Sequence, residues 1–188
     1  MYEQDYLDHL SLPAKLYSEI EENVVDLFVQ LNIRSYPVDP MEIAFLLGYE
    51  LKPFNKMNNE ARRILQTKNT DGLSYYDSNR NMVVIYHKSF GMRERLRFTI
   101  GHEIGHIRMG HRGESELANR VANYYSAYLL APTPWISQAG CDDYVDVAEK
   151  FLVSKICAMR CFERYENWSN ILYLKDYEKT LISLLSIE

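Results

Sequence analysis

His102-Glu103-Ile104-Gly105-His106 is the stretch on which the reading of this chain turns. Two histidines four residues apart stand one turn above each other on one face of a helix, so both imidazoles reach a single ion. The glutamate between them lies to the same side, close enough to take a proton from a metal-bound water. A chain of this composition produces the pattern by accident about once in a hundred. The flanking residues argue for the helix itself. Leu96, Ile100, Ile104 and Ile107 form an apolar stripe at helical spacing, and Gly110 stands where a helix commonly stops. The spacing predicts a helix over about residues 92–109 that binds Zn2+ through His102 and His106, with Glu103 as general base.

Working outward, Ser115 is placed to cap a second helix that runs to Leu130, where Pro132 and Pro134 end it. Upstream, Asp71–Tyr76 and Met82–Tyr86 read as two strands around the turn-rich residues Asp77–Asn81. Residues 49–54 alternate like a strand, and 58–67 suggest a short helix. A longer helix spans about 13–31, with Leu16, Ile20, Val24, Leu27, Phe28 and Leu31 on one face. Asp39-Pro40-Met41-Glu42 has the form of a capped helix start with proline at the first position, and Gly48 stops that short helix. Everything beyond Asp143 reads as helical. The fold class is therefore α+β: a small antiparallel sheet packed with helices around the histidine helix, followed by a helical C-terminal part. One domain is expected over 1–188, with a core at 13–142 and a helical extension at 143–188.

Composition excludes several classes. With 188 residues, 47% hydrophobic and 25% charged, the chain has the make-up of a soluble globular protein. A formal charge of −5 argues against a broad nucleic-acid or acidic-membrane surface. The acidic start Met1-Tyr2-Glu3-Gln4-Asp5 shows no signal peptide, and no apolar run reaches membrane-spanning length. Cys141, Cys157 and Cys161 lack zinc-ribbon spacing, and the last two would be neighbours on a helix. A reducing, cytoplasmic location is expected.

Several segments, in order, resemble the ImmA/IrrE-type metallopeptidases. They are Arg34–Ala44, the Asp71-Gly72 hairpin start, Arg95–Gly101 leading into the histidine motif, and Ala122-Asn123 followed by Leu129-Leu130-Ala131-Pro132. The resemblance implies a site in which a glutamate, four residues before the Asn of Ala-Asn, joins the two histidines. That position is Asn119 here, and Val121 stands where relatives often carry a second acid. An amide oxygen is a far weaker zinc ligand than a carboxylate. Three arrangements stay open: Asn119 ligates through its amide oxygen, Glu116 swings in, or two histidines share the ion with water. Glu116 also suits a plain role as an acid in the first helical turn, and Glu114 is the other nearby carboxylate. His111 falls out of register with a third-histidine pattern and reads as a surface residue after a helix-ending glycine, while His9 and His87 read as plain surface or strand residues. An oxyanion donor is not singled out: Tyr75, Tyr76, Tyr124 and Tyr125 are candidates that suit packing equally. The strand before the histidine helix offers an edge for an extended substrate.

The resemblance further implies a protein substrate, a helix-turn-helix transcriptional repressor that is cleaved or inactivated. The alternative is a catalytically weak or inactive pseudo-protease that only binds such a repressor. A third reading, a DNA-binding protein, comes from the helix-turn-helix-like stretch Val147–Lys155. Leu152 occupies the turn position where glycine is usual. Residues 144–165 carry four basic side chains against three acidic ones, too little for a phosphate-tracking surface. The stretch is read as a packing or docking element, and direct DNA binding is not expected.

Overall fold

Side-chain caps start four helices of this computed structural model, at Asp39, Ser115, Asp143 and Ser154, and the described residues are 12–65, 70–88, 92–113 and 115–185. Helix α1 (Ala14–Leu31) buries Ile20, Val24, Leu27 and Phe28, the face expected from its spacing. Asp39 caps α2 (Pro40–Leu46): its Oδ1 accepts the Met41 N–H at 2.9 Å, with Pro40 at the first position. Strand β1 (Glu50–Pro53) and helix α3 (Asn59–Leu65) follow. Strands β2 (Gly72–Asp77) and β3 (Met82–His87) form the expected hairpin, whose turn is held by Asp77 Oδ1 accepting the N–H groups of Asn79 and Arg80. The histidine helix is α4 (Arg93–Arg108), which ends at Gly110 with φ 69°. Helix α5 (Glu116–Leu130) starts at Ser115, whose Oγ accepts the Ala118 N–H at 3.0 Å.

The sheet is small, as expected, but mixed rather than antiparallel. Its order is β1-β3-β2: β2 pairs antiparallel with β3, while β1 runs parallel to β3 with Glu50 opposite Val84. The hairpin turn dictates the first pairing. The second depends on how the segment carrying α3 returns the chain, which strand periodicity does not encode. One face of the sheet packs with α3 in a small cluster of Met57, Ala61, Leu73, Val84 and Tyr86. The other, through Ile85, joins the main core shared by α1, α4, α5 and the C-terminal helices.

Those C-terminal helices are α6 (Thr133–Gln138), α7 (Tyr144–Phe151), α8 (Lys155–Ser169) and α9 (Asp176–Leu185). Helix α6 departs from the sequence expectation, which ends the preceding helix at the prolines. Pro134, read as a stop, lies in its first turn, where a missing N–H costs nothing. Trp135 on α6 is fully buried, stacks on Phe28 and donates its indole N–H to the Leu181 carbonyl at 2.7 Å, tying α6 to α1 and α9.

Helices α7 and α8 meet in a helix-turn-helix-like corner. Leu152 takes the left-handed backbone (φ 53°) that glycine usually supplies there, at a cost of about 1–2 kcal/mol. Arg97, on α4 and only 2% exposed, holds this corner. Its Nε donates to the Leu152 carbonyl at 3.1 Å, and its Nη2 to the carbonyls of Phe151 and Val38 at 3.2 and 2.8 Å. Buried bonds from a charged donor contribute about 1.5–3 kcal/mol each, enough to offset the strained turn. Cys157 and Cys161 are buried neighbours on α8 with their sulfurs 4.0 Å apart, and neither is in a disulfide. Among the described residues, no helix is long and apolar enough to cross a membrane.

Candidate metal and catalytic site

Helices α4 and α5 pack so closely that a Cβ on Gly105 would lie 2.9 Å from the Cβ of Tyr125. That approach brings Asn123 of α5 to His102 of α4, with Oδ1 2.8 Å from Nδ1. The amide oxygen accepts, so the Nδ1 of His102 carries the proton and its Nε2 presents a lone pair. This Nε2 faces the Nε2 of His106 at 2.9 Å. Burial, reinforced by His106, pulls the pKa of His102 down to about 3, which leaves the neutral imidazole that a metal ligand must be. A tetrahedral zinc with 2.0–2.1 Å bonds needs the two nitrogens about 3.3 Å apart, a few tenths of an ångström from what the pair offers. The pair fits a zinc ion. Among the described residues, no group of three His, Cys, Asp or Glu side chains surrounds such an ion.

His106 is held in turn from its far side. Its Nδ1 lies 3.0 Å from the Nδ1 of His111, whose backbone N–H closes the helix end on the His106 carbonyl. The expectation of a surface histidine at 111 is corrected: the residue is half-buried and orients a candidate ligand. The helix-ending turn at Gly110 folds the chain back, so sequence spacing alone hid the contact. His87 closes β3, its Nδ1 3.1 Å from the Lys88 carbonyl, while His9 lies outside the described residues.

The third-donor candidates are spread out. Asn119 is half-buried on α5, one turn before Asn123 and on the same face. The Glu116 side chain is 81% exposed and pairs with Arg120 at 3.7 Å, in the first turn of α5. Glu114 lies outside the described residues, and Val121 is buried in the core.

Glu103 is 5% exposed, and its Oε2 accepts the Ser74 N–H of β2 at 2.7 Å. Gly72 makes this approach possible. A Cβ there would meet Thr99 Cγ2 at 2.6 Å and Glu103 Oε1 at 2.9 Å. The sheet edge at the site is therefore β2, not β3. The strand before the histidine helix is central and paired on both sides, which corrects the expectation of an open edge there. None of the four tyrosines considered as oxyanion donors lines the cleft. Tyr124 and Tyr125 donate to Glu21 and Asn23, Tyr76 to Asn81, and Tyr75 packs behind the sheet.

The histidine and the glutamate open on a cleft of about 350 Å3. Phe98, Thr99, His102 and Glu103 of α4 lie along it, with Asp71 and Gly72 at the start of β2, and Leu130, Val153, Ile156 and Cys157 from α5 and the α7–α8 corner. Asp71 receives Lys88 and Arg95. Burial pushes its carboxyl up, but the two cations outweigh that and hold it below its ordinary range.

With this geometry in view, a family model described as the IrrE N-terminal-like domain, a peptidase family, matches residues 52–160. The chain belongs to that family. The ImmA/IrrE-type match runs from β1 into α8, so it crosses the 142/143 boundary drawn from the sequence. It includes α4, α5 and the β2–β3 hairpin, while Arg34–Ala44 precedes it. By family the protein is of peptidase type, and peptidases of this family are generally metal-dependent. No curated protein matches the chain.

Proposed function

We propose that the protein is a zinc-dependent endopeptidase that cleaves a helix-turn-helix repressor, with His102 and His106 holding the ion and Glu103 as general base. The observation that carries this reading is the pair of facing Nε2 atoms, 2.9 Å apart, with His102 of that pair and the buried Glu103 both lining the cleft. When bound, zinc lowers the pKa of a coordinated water toward about 7 and polarises a carbonyl oxygen. Glu103, steadied by the Ser74 N–H, takes the proton from the attacking water. The hydroxyl adds to the carbonyl carbon, the C–N bond breaks, and Glu103 returns the proton to the leaving amine. Asn123 and His111 keep the two imidazoles turned toward the ion. Asn119 supplies the third donor through its amide oxygen, with Glu116 or water as the alternatives. A cytoplasmic location and the absence of direct DNA binding belong to the same reading.

The repressor as partner follows from the resemblance to the ImmA/IrrE-type enzymes. A second reading, a repressor-binding module with little catalysis, is favoured by one observation: among the described residues, no group of three His, Cys, Asp or Glu side chains is arranged to hold a metal ion. The test incubates zinc-loaded protein and its Glu103→Gln variant with a panel of purified helix-turn-helix repressors. Cleavage of one repressor by the wild type alone supports the peptidase. Capture of a repressor without cleavage by either protein selects the binding module.

A further inference from the structure

Two of the three cysteines stand where the peptidase reading has no use for them. Cys157 and Cys161 lie one turn apart on α8, 6% and 1% exposed, with their sulfurs 4.0 Å from each other. Helix neighbours at this spacing keep their Cβ atoms about 5–6 Å apart, beyond the range of about 3.5–4.5 Å that a disulfide needs. The sulfurs are instead at the separation at which two thiolates share one metal ion. With metal–sulfur bonds of about 2.3 Å, that separation runs from about 3.8 Å at a tetrahedral ion to about 4.6 Å across a linear one. Cys157 also lines the cleft, which gives an ion a way in.

A third group sets the charge. Arg164, on the same helix, brings its Nη2 to 3.6 Å from the Sγ of Cys161. It is fixed from two other sides: its Nε donates to the Arg160 carbonyl at 3.1 Å, and its guanidinium lies 4.7 Å from the centre of the Tyr124 ring. The hydrogen bond from Cys157, joined by the charge of Arg164, outweighs burial and holds the Cys161 thiol below its ordinary range.

We propose that Cys157 and Cys161 form a second metal site, apart from the histidine pair, that takes one Cu(I) ion in two-coordinate form with Arg164 balancing the charge. Thiolates select soft ions such as Cu(I). Two thiolates around a monovalent ion carry one negative charge, which the guanidinium neutralises. Around Zn2+ they would carry none, and the buried cation beside them would lose its counter-charge. Zinc also takes four ligands, and among the described residues no group of three His, Cys, Asp or Glu side chains is arranged to hold a metal ion. Loading is a ligand exchange without change of oxidation state: two Cu–S bonds form, and any proton on either sulfur leaves to solvent. The site does not depend on the peptidase reading.

The test adds one equivalent of Cu(I) to full-length protein under nitrogen, with a chromophoric Cu(I) chelator as competitor. The ion should bind with only sulfur neighbours in its X-ray absorption spectrum. Cys157→Ala and Cys161→Ala should each weaken binding more than about 100-fold, beyond what loss of an outer partner does, while Cys141→Ala should change it little. Arg164→Gln should weaken it at least about tenfold, with Arg164→Lys recovering part. Unchanged affinity in Cys157→Ala or in Arg164→Gln would overturn the proposal, as would displacement of Cu(I) by an equal amount of Zn2+. Should the cysteine variants fail to fold, the wild-type spectrum decides: sulfur neighbours alone support the site, and nitrogen neighbours overturn it by placing the copper on the histidines.

Discussion

Gly72→Ala is the substitution that best separates the position of Glu103 from the stability of the fold. The new Cβ would sit 2.6 Å from Thr99 Cγ2 and 2.9 Å from Glu103 Oε1, where ordinary contact begins at 3.4 Å. Neither neighbour is the free end of a long chain: Thr99 is 9% exposed on α4, and Glu103 is 5% exposed. Overpacking of this kind costs about 1–3 kcal/mol. For a protein of this size that lowers Tm by roughly 2–12 °C. The strand must move away from α4, which lengthens the 2.7 Å bond from the Ser74 N–H to Glu103. Misplacing a catalytic group by about 1 Å costs about 100-fold in rate, so peptidase activity should fall far more than stability. Thermal unfolding and cleavage of a protein substrate are measured on the same preparation. Adding Thr99→Ala removes the closer clash and should recover much of the lost Tm but less of the activity, since the contact with Glu103 persists. A Gly72→Ala protein with normal Tm and normal turnover would refute the close approach of β2 to the glutamate.

Asn123→Ala should weaken zinc binding about 10–100-fold by freeing the His102 ring and leaving its buried N–H without an acceptor, as read by competition against a chelator. Asn123→Asp should restore the affinity. His111→Ala should loosen zinc by a similar factor through His106, with His111→Gln recovering part of it; an unchanged affinity would return His111 to the role of a surface residue. Asn119→Glu should tighten zinc at least about tenfold if Asn119 is the third donor. If instead Glu116→Ala abolishes binding and Asn119→Glu does nothing, Glu116 is the ligand.

What could be read from the sequence was local. The i, i+4 histidines, the stripe Leu96-Ile100-Ile104-Ile107, the Ser115 cap and the Asp39-Pro40 start all fall where helical spacing and capping chemistry place them. What stayed hidden depends on contacts far apart in the chain. The parallel pairing of β1 with β3 leaves no mark on the alternation of either strand. Arg97 looks like any helix arginine until the Phe151 and Leu152 carbonyls, more than fifty residues away, are brought to it. Ser74 meets Glu103 through its backbone, which no residue type announces, although Gly72 two positions earlier was a usable sign of close approach. Asn123 belongs to the Ala-Asn element of the resemblance, and its contact with His102 depends on the packing of α5 against α4.

The central claim, that His102 and His106 hold one zinc ion, is tested most directly by metal content. Wild type, His102→Ala and Glu103→Gln are purified identically, loaded with zinc, dialysed and measured by elemental analysis. The account predicts about one zinc per chain in the wild type and in Glu103→Gln, and loss of the metal in His102→Ala. Equal zinc in His102→Ala and wild type would contradict it.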